Sequence, residues 1–240
     1  MGAEPVGISE IVVADEPAAW RDAGFSVTEP AGGAVCRIGS VTVRLAGRRA
    51  ADDPGGIAAW VLRGAGAGHP PGRDPLSLDG LATSFTGPDT GAPSHRAGGP
   101  GSDRAPGAGS HPNGALRIDH VVVVSPDLDR TTGAFAAAAG LVPRRTREAG
   151  RRPDGGVTLQ RFFRLGEVIV ELVGPAEPSG TGPARFWGLA HAVADLDRAA
   201  DLLAGHISPV RDAVQPGRRI ATLDVAGLSV PTALMSDRAG

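Results

Sequence analysis

Two polar side chains stand out within strand-like runs rich in β-branched residues: His120 within 117–124, and Glu171 within 167–173. Set among β-branched residues, an imidazole and a carboxylate read either as relics or as a polar pair lining a ligand cavity. A buried carboxylate is costly unless it is paired, and Arg161, Arg164 or the adjacent Arg218 and Arg219 could pair with Glu171 from neighbouring strands. A cavity built this way would receive an anionic or polar small molecule. Gln215 and Arg218 lie on a Gln-Pro-Gly segment that leads into a strand, where they either touch that ligand or make a turn. Trp187, like Trp20 and Trp60, is a large apolar surface for a core or a cavity wall. Cys36 reads as a small buried hydrophobe. His69, His95 and His111 stand in Gly/Pro-rich sequence and read as solvated, although His111 directly precedes a strand and could pack on it. Neither a phosphate-binding glycine loop nor a Ser/His/Asp constellation is evident.

The elements that must hold these residues follow a repeated order. Residues 117–124 read as a buried strand, and Ser125-Pro126-Asp127-Leu128-Asp129 opens a helix that Gly140 ends. After a polar loop, 157–165 and 167–173 read as strands. Upstream, 6–14 reads as a strand, 18–23 as a short helix, and 34–38 and 41–45 as strands, with 55–62 the stub of a further module. Downstream, 186–193 is a strand, Asp195-Leu196-Asp197 opens a helix through Leu203, and 220–225 and 228–235 are strands. Arg37 to Gly47 aligns without a gap on Arg164 to Gly174, which marks an internal repeat. In the upstream copy Glu10 stands for His120 and Arg44 for Glu171. In the last copy Gly188 and Ala233 stand at those positions.

Composition bounds the function. The chain has 240 residues, a net charge of −2 and 41% hydrophobic residues, so it can bury a sizeable core and shows no basic footprint for nucleic acid. Its one cysteine excludes an internal disulfide and fits a reducing cytosol. Neither a secretory leader nor a run long enough to span a membrane is read, so the expected location is cytoplasmic.

A strand–helix–three-strand module, repeated and paired, resembles the vicinal oxygen chelate superfamily of glyoxalase I, bleomycin-resistance proteins and extradiol dioxygenases. The carrying residues are Ile118 to Leu128, Phe163 to Gly166 with Val170 to Pro175, and Gly188-Leu189-Ala190 with Val193 to Asp197. Phe186-Trp187-Gly188-Leu189 and Gln215 to Ala221 resemble segments of actinobacterial glyoxalase-like proteins. The resemblance implies an α+β fold in which repeated βαβββ modules make a cup-shaped mixed sheet flanked by helices. The expected organisation is a degenerate half at 1–65, a Gly/Pro-rich connection at 66–115 with 86–114 flexible, and paired modules at 116–240 (116–175 and 184–236).

The resemblance also implies a divalent metal such as Zn, Ni, Mn or Fe, held by a His on the first strand and a Glu on the last strand of each module. His120 and Glu171 match that pattern, whereas Gly188 and Ala233 have no ligating side chain. His191 is a third candidate. It lies three residues past the expected position, on the opposite face of a regular strand, so a bulge would be needed. Two functions follow as expectations. One is a metal-dependent lyase, isomerase or dioxygenase, with Gln215, Arg218 and Trp187 as substrate contacts. The other is a non-catalytic protein that binds or sequesters an antibiotic or metabolite over a decayed metal site. Whether the chain is an enzyme stays open between them. The partner is a small molecule, not nucleic acid or membrane, and the assembly a monomeric pseudo-dimer or a homodimer.

Overall fold

The computed structural model describes residues 5–48, 54–64, 76–87 and 111–237. Apart from its two ends, the expected flexible stretch 86–114 lies outside these residues.

The C-terminal half is one eight-stranded sheet made of two βαβββ modules. The first is β7 (Ala115–Val124), α2 (Leu128–Ala139), β8 (Arg145–Arg151), β9 (Val157–Leu165) and β10 (Val168–Pro175). The second is β11 (Arg185–Val193), α3 (Leu196–Leu202), β12 (Arg211–Asp212), β13 (Arg219–Thr222) and β14 (Thr232–Ser236). The strand order is β12-β13-β14-β11-β7-β10-β9-β8, with β7 and β11 antiparallel at the centre. Each helix starts on an aspartate. Asp127 accepts from the Arg130 amide and Asp195 from the Arg198 amide, both at 3.0 Å, satisfying amide groups that a helix start leaves unpaired.

The N-terminal half repeats this plan in shortened form: β1 (Gly7–Val13), α1 (Pro17–Asp22), β2 (Ala34–Ile38), β3 (Val41–Leu45), β4 (Ile57–Arg63), β5 (Leu76–Leu78) and β6 (Leu81–Thr86). Its order, β2-β3-β1-β4-β6-β5, again puts two antiparallel strands at the centre. Part of the expected connection at 66–115 is therefore sheet, because Leu78 and Leu81 bury their side chains. The polar loop expected after α2 contains β8, an edge strand whose charged, exposed residues hide it from an apolar pattern.

Alternation decides which side chains meet. Val121, Val123, Phe163 and Val170 are buried on the face that α2 covers, where Phe135 packs on Phe163 with ring centroids 5.1 Å apart. His120, Val122, Glu171 and Phe162 lie on the other, open face. One apolar core runs through both halves, including Trp20, Trp60, Phe135 and Leu172.

Bonds fasten the halves at several places, two of which centre on aspartates. Asp15 accepts from Trp20 Nε1 at 3.1 Å and from the Ser229 amide at 2.9 Å. Asp79, in the β5–β6 turn, accepts from Arg130 Nε at 2.7 Å.

Candidate functional site

β7 and β10 run parallel, with Ile169 opposite His120 and Glu171 opposite Val122. His120 and Glu171 therefore share the open face on adjacent strands, offset by two residues. Glu171 accepts from the Gln160 amide, and Gln160 accepts from Arg147 Nε at 2.6 Å. Burial pushes the Glu171 carboxyl up, against the charges of His120 and Arg147. Neither Arg161 nor Arg164 bonds to Glu171: Arg161 is tied to α2 and Arg164 to the Gly166 carbonyl.

Behind His120 stands Asp119, which the strand pattern alone would send to the other face. β11 pairs Ala190 with His120 and His191 with Ile118, so Asp119 is an extra residue in a β-bulge. The bulge turns its carboxylate toward His120, and Oδ2 lies 2.7 Å from Nδ1. Arg218 Nη1 donates to the same oxygen at 2.8 Å, and Arg117 Nη2 approaches Oδ1 at 3.4 Å. Burial alone would raise the Asp119 carboxyl, but the hydrogen bonds and charges of His120 and Arg218 hold it well below the usual carboxylate range.

The Gln-Pro-Gly segment is a turn and also belongs to the site. The Arg218 amide donates to the Gln215 carbonyl at 3.1 Å across Pro216 and Gly217, the latter with φ +76°. That turn sets the two side chains side by side, with Arg218 Nη1 donating to Gln215 Oε1 at 2.9 Å. Gln215 Nε2 lies 3.5 Å from His120 Nε2. Trp187 is not part of this cluster. It lines a separate cavity of about 500 Å³ with Arg185, Phe186, Leu81 and Pro231.

His191 goes elsewhere. Between Gly188 and His191 the bulge falls in β7 and not in β11, so His191 keeps the face of Ile118 and Leu189. Its ring is fully buried and packs on Phe25 and Trp20, with centroids 4.9 and 6.3 Å away. Neither ring nitrogen has a hydrogen-bond partner, and burial pushes its pKa down to about 3. His191 thus lies on the opposite face of the sheet from His120 and Glu171. Burial likewise pushes Cys36 up to about 12, as suits a packed thiol. His111, also buried, accepts from the Ser26 amide at 3.0 Å and contacts the Arg37 carbonyl at 2.9 Å.

The donor set does not fit a resident metal. Among the described residues no group of three or more His, Cys, Asp or Glu side chains converges. At Gly188 a Cβ would lie 2.5 Å from the Pro231 carbonyl oxygen, so main chain fills the space that a ligand side chain would need.

Residues 119–222 carry a domain that matches the family model of the Glyoxalase/Bleomycin resistance protein/Dioxygenase superfamily. Among solved structures, a mutant of 4-hydroxymandelate synthase from Streptomyces coelicolor superposes with a TM-score of 0.59 at 14% identity, covering 99% of this chain and 94% of that one. A xylose isomerase-like TIM barrel/4-hydroxyphenylpyruvate dioxygenase fusion protein superposes with a TM-score of 0.60 at 12% identity, covering 100% of this chain and 50% of that one. At these identities the likeness is one of fold. No curated protein matches the sequence. Among the described residues no helix is long and apolar enough to cross a membrane.

Proposed function

We propose that the eight-stranded cup binds a small molecule through its own side chains, with no resident metal. One observation carries this reading: Gly188 and Ala233 stand where the resemblance puts a second pair of ligands, and the space at Gly188 is taken by the Pro231 carbonyl. The groups left for a ligand are His120, Glu171, Gln215 and Gln160, with Arg147 and Arg218 supplying positive charge. In a low-dielectric cup, such fixed donors and charges orient a polar ligand.

A metal-dependent lyase, isomerase or dioxygenase is the second reading. It is favoured by Asp119, because a metal-bound histidine usually donates its other N–H to a carboxylate. Elemental analysis separates the two. Untagged protein and a His120→Ala, Glu171→Ala double variant are each incubated with Zn, Ni, Mn and Fe, desalted and measured by plasma mass spectrometry. The expected result is metal far below one ion per chain in both. Near-stoichiometric metal in the wild type that vanishes in the variant would overturn the reading.

A further inference from the structure

His120 and three side chains around it, Asp119, Arg218 and Gln215, close a ring of hydrogen bonds that places its protons. Arg218 has no acceptor, so Gln215 must turn its amide oxygen to Nη1. The Gln215 NH₂ then faces His120 Nε2. Asp119, an acceptor held ionised by the guanidinium beside it, requires the proton of His120 to be on Nδ1. Nε2 is left as an acceptor turned toward the Gln215 NH₂. Its one partner, Gln215, is 3.5 Å away, the outer limit of a hydrogen bond, so the acceptor is underused. A second observation points to a missing group: Arg218 is 4% exposed, and its Nη2 has no hydrogen-bond partner. The neighbouring wall of the cup is mixed, with Val122 beside the Glu171 carboxyl and the Arg147 guanidinium 5.5 Å over the Phe162 ring.

We infer that His120 Nε2 is a proton acceptor for an acidic hydroxyl on the bound ligand, a phenol or an enol. The inference rests on the metal-free reading above. In the step, the ligand O–H bond breaks, its proton joins Nε2, and the electron pair stays on the ligand oxygen. Asp119 balances the imidazolium, and the guanidinium groups of Arg147 and Arg218 favour the ligand anion. An unactivated alcohol would not yield its proton to an imidazole, which is why the class is an acidic hydroxyl.

The probe is 4-nitrophenol, whose ionised form absorbs visible light. It is titrated into the full chain, treated with chelator, at a pH just below its own pKa. Its methyl ether, 4-nitroanisole, is the control without a hydroxyl. The expected result is binding with the phenolate spectrum, no competition from the ether, and about tenfold weaker binding without ionisation in His120→Gln. Asp119→Asn takes the carboxylate partner from the buried Arg218 and endangers the fold, so His120→Gln is the decisive variant, with its melting curve as control. Nitrogen-15 spectra at alkaline pH should show His120 protonated at Nδ1. A bound probe with the neutral phenol spectrum, an unchanged spectrum in His120→Gln, no binding to wild type, or a proton on Nε2 would each overturn the inference. Stoichiometric metal would instead overturn the reading beneath it.

Discussion

In the N-terminal sheet, Glu10 and Arg44 occupy the register positions that His120 and Glu171 occupy in the C-terminal sheet. Glu10 lies opposite Thr42 with Arg44 two residues on, as His120 lies opposite Ile169 with Glu171 two residues on. The bulge is repeated too, with Ser9 the extra residue in β1 where Asp119 is in β7. What the backbone repeats, the side chains answer differently. Arg44 meets Glu10 in a two-pronged ion pair, Nε and Nη2 each 2.8 Å from a carboxylate oxygen, and the pair consumes both groups. In the C-terminal sheet His120 and Glu171 are bonded instead to separate neighbours, Asp119 and Gln215 for the first and Gln160 for the second. The same fold is thus a closed structural half in one copy and a chemically available half in the other, decided by four side chains.

The largest effect should show whether the halves are one folding unit. Trp20→Ala, at a fully buried indole against His191, should cost about 3–5 kcal/mol. Denaturant unfolding followed by far-ultraviolet circular dichroism and by fluorescence should stay a single transition, whereas two separated transitions would break the picture of a shared core.

Next comes the cup floor. Gly188→Ala should cost about 1–3 kcal/mol, because the added carbon meets the Pro231 carbonyl. At the matching register position of the other half stands Ala59, opposite Val12 as Gly188 is opposite Val122. There Ala59→Gly should cost only about 0.5–1 kcal/mol. Equal costs in the two halves would undo the contrast.

Acid should act on the seam between the halves. His191, held neutral with its pKa at about 3, and His111, also lowered by burial, bind protons in the unfolded chain first. Their contribution is present above the unfolded value of about 6.5 and is lost as pH falls below it, by up to about 1.4 kcal/mol per unit for each fully linked group. Melting temperatures at pH 7.5 and 5 should diverge, and His191→Phe should narrow the gap. The smallest effect belongs to the ion pair: Arg44→Met, at a partly exposed side chain, should cost less than about 1 kcal/mol and leave ligand binding in the other cup intact.

Much of the fold was legible because Arg37 to Gly47 and Arg164 to Gly174 align without a gap, and a hairpin preserved so closely keeps its register. The strands β8 and β6 were less so, the first because an exposed edge lacks apolar alternation, the second because it is embedded among Gly and Pro. At the site, the shared face of His120 and Glu171 follows from strand period alone. Asp119 does not: its direction depends on a bulge that arises only from pairing with β11, a strand some seventy residues away. Likewise the turn chemistry of Gln215-Pro216-Gly217-Arg218 was readable, whereas the bonds from Gln215 and Arg218 to His120 and Asp119 needed the tertiary fold.

Ser229 and Pro231 are neighbours but one, about 7 Å of chain apart. The first is gripped by Asp15 and by the Gly56 amide of the N-terminal half. The second lies against Gly188 in the cup. A half without a free reactive pair in its own cup thereby holds the floorboard of its sister's, and any shift between the two halves arrives as a change in the shape of the space a ligand would fill.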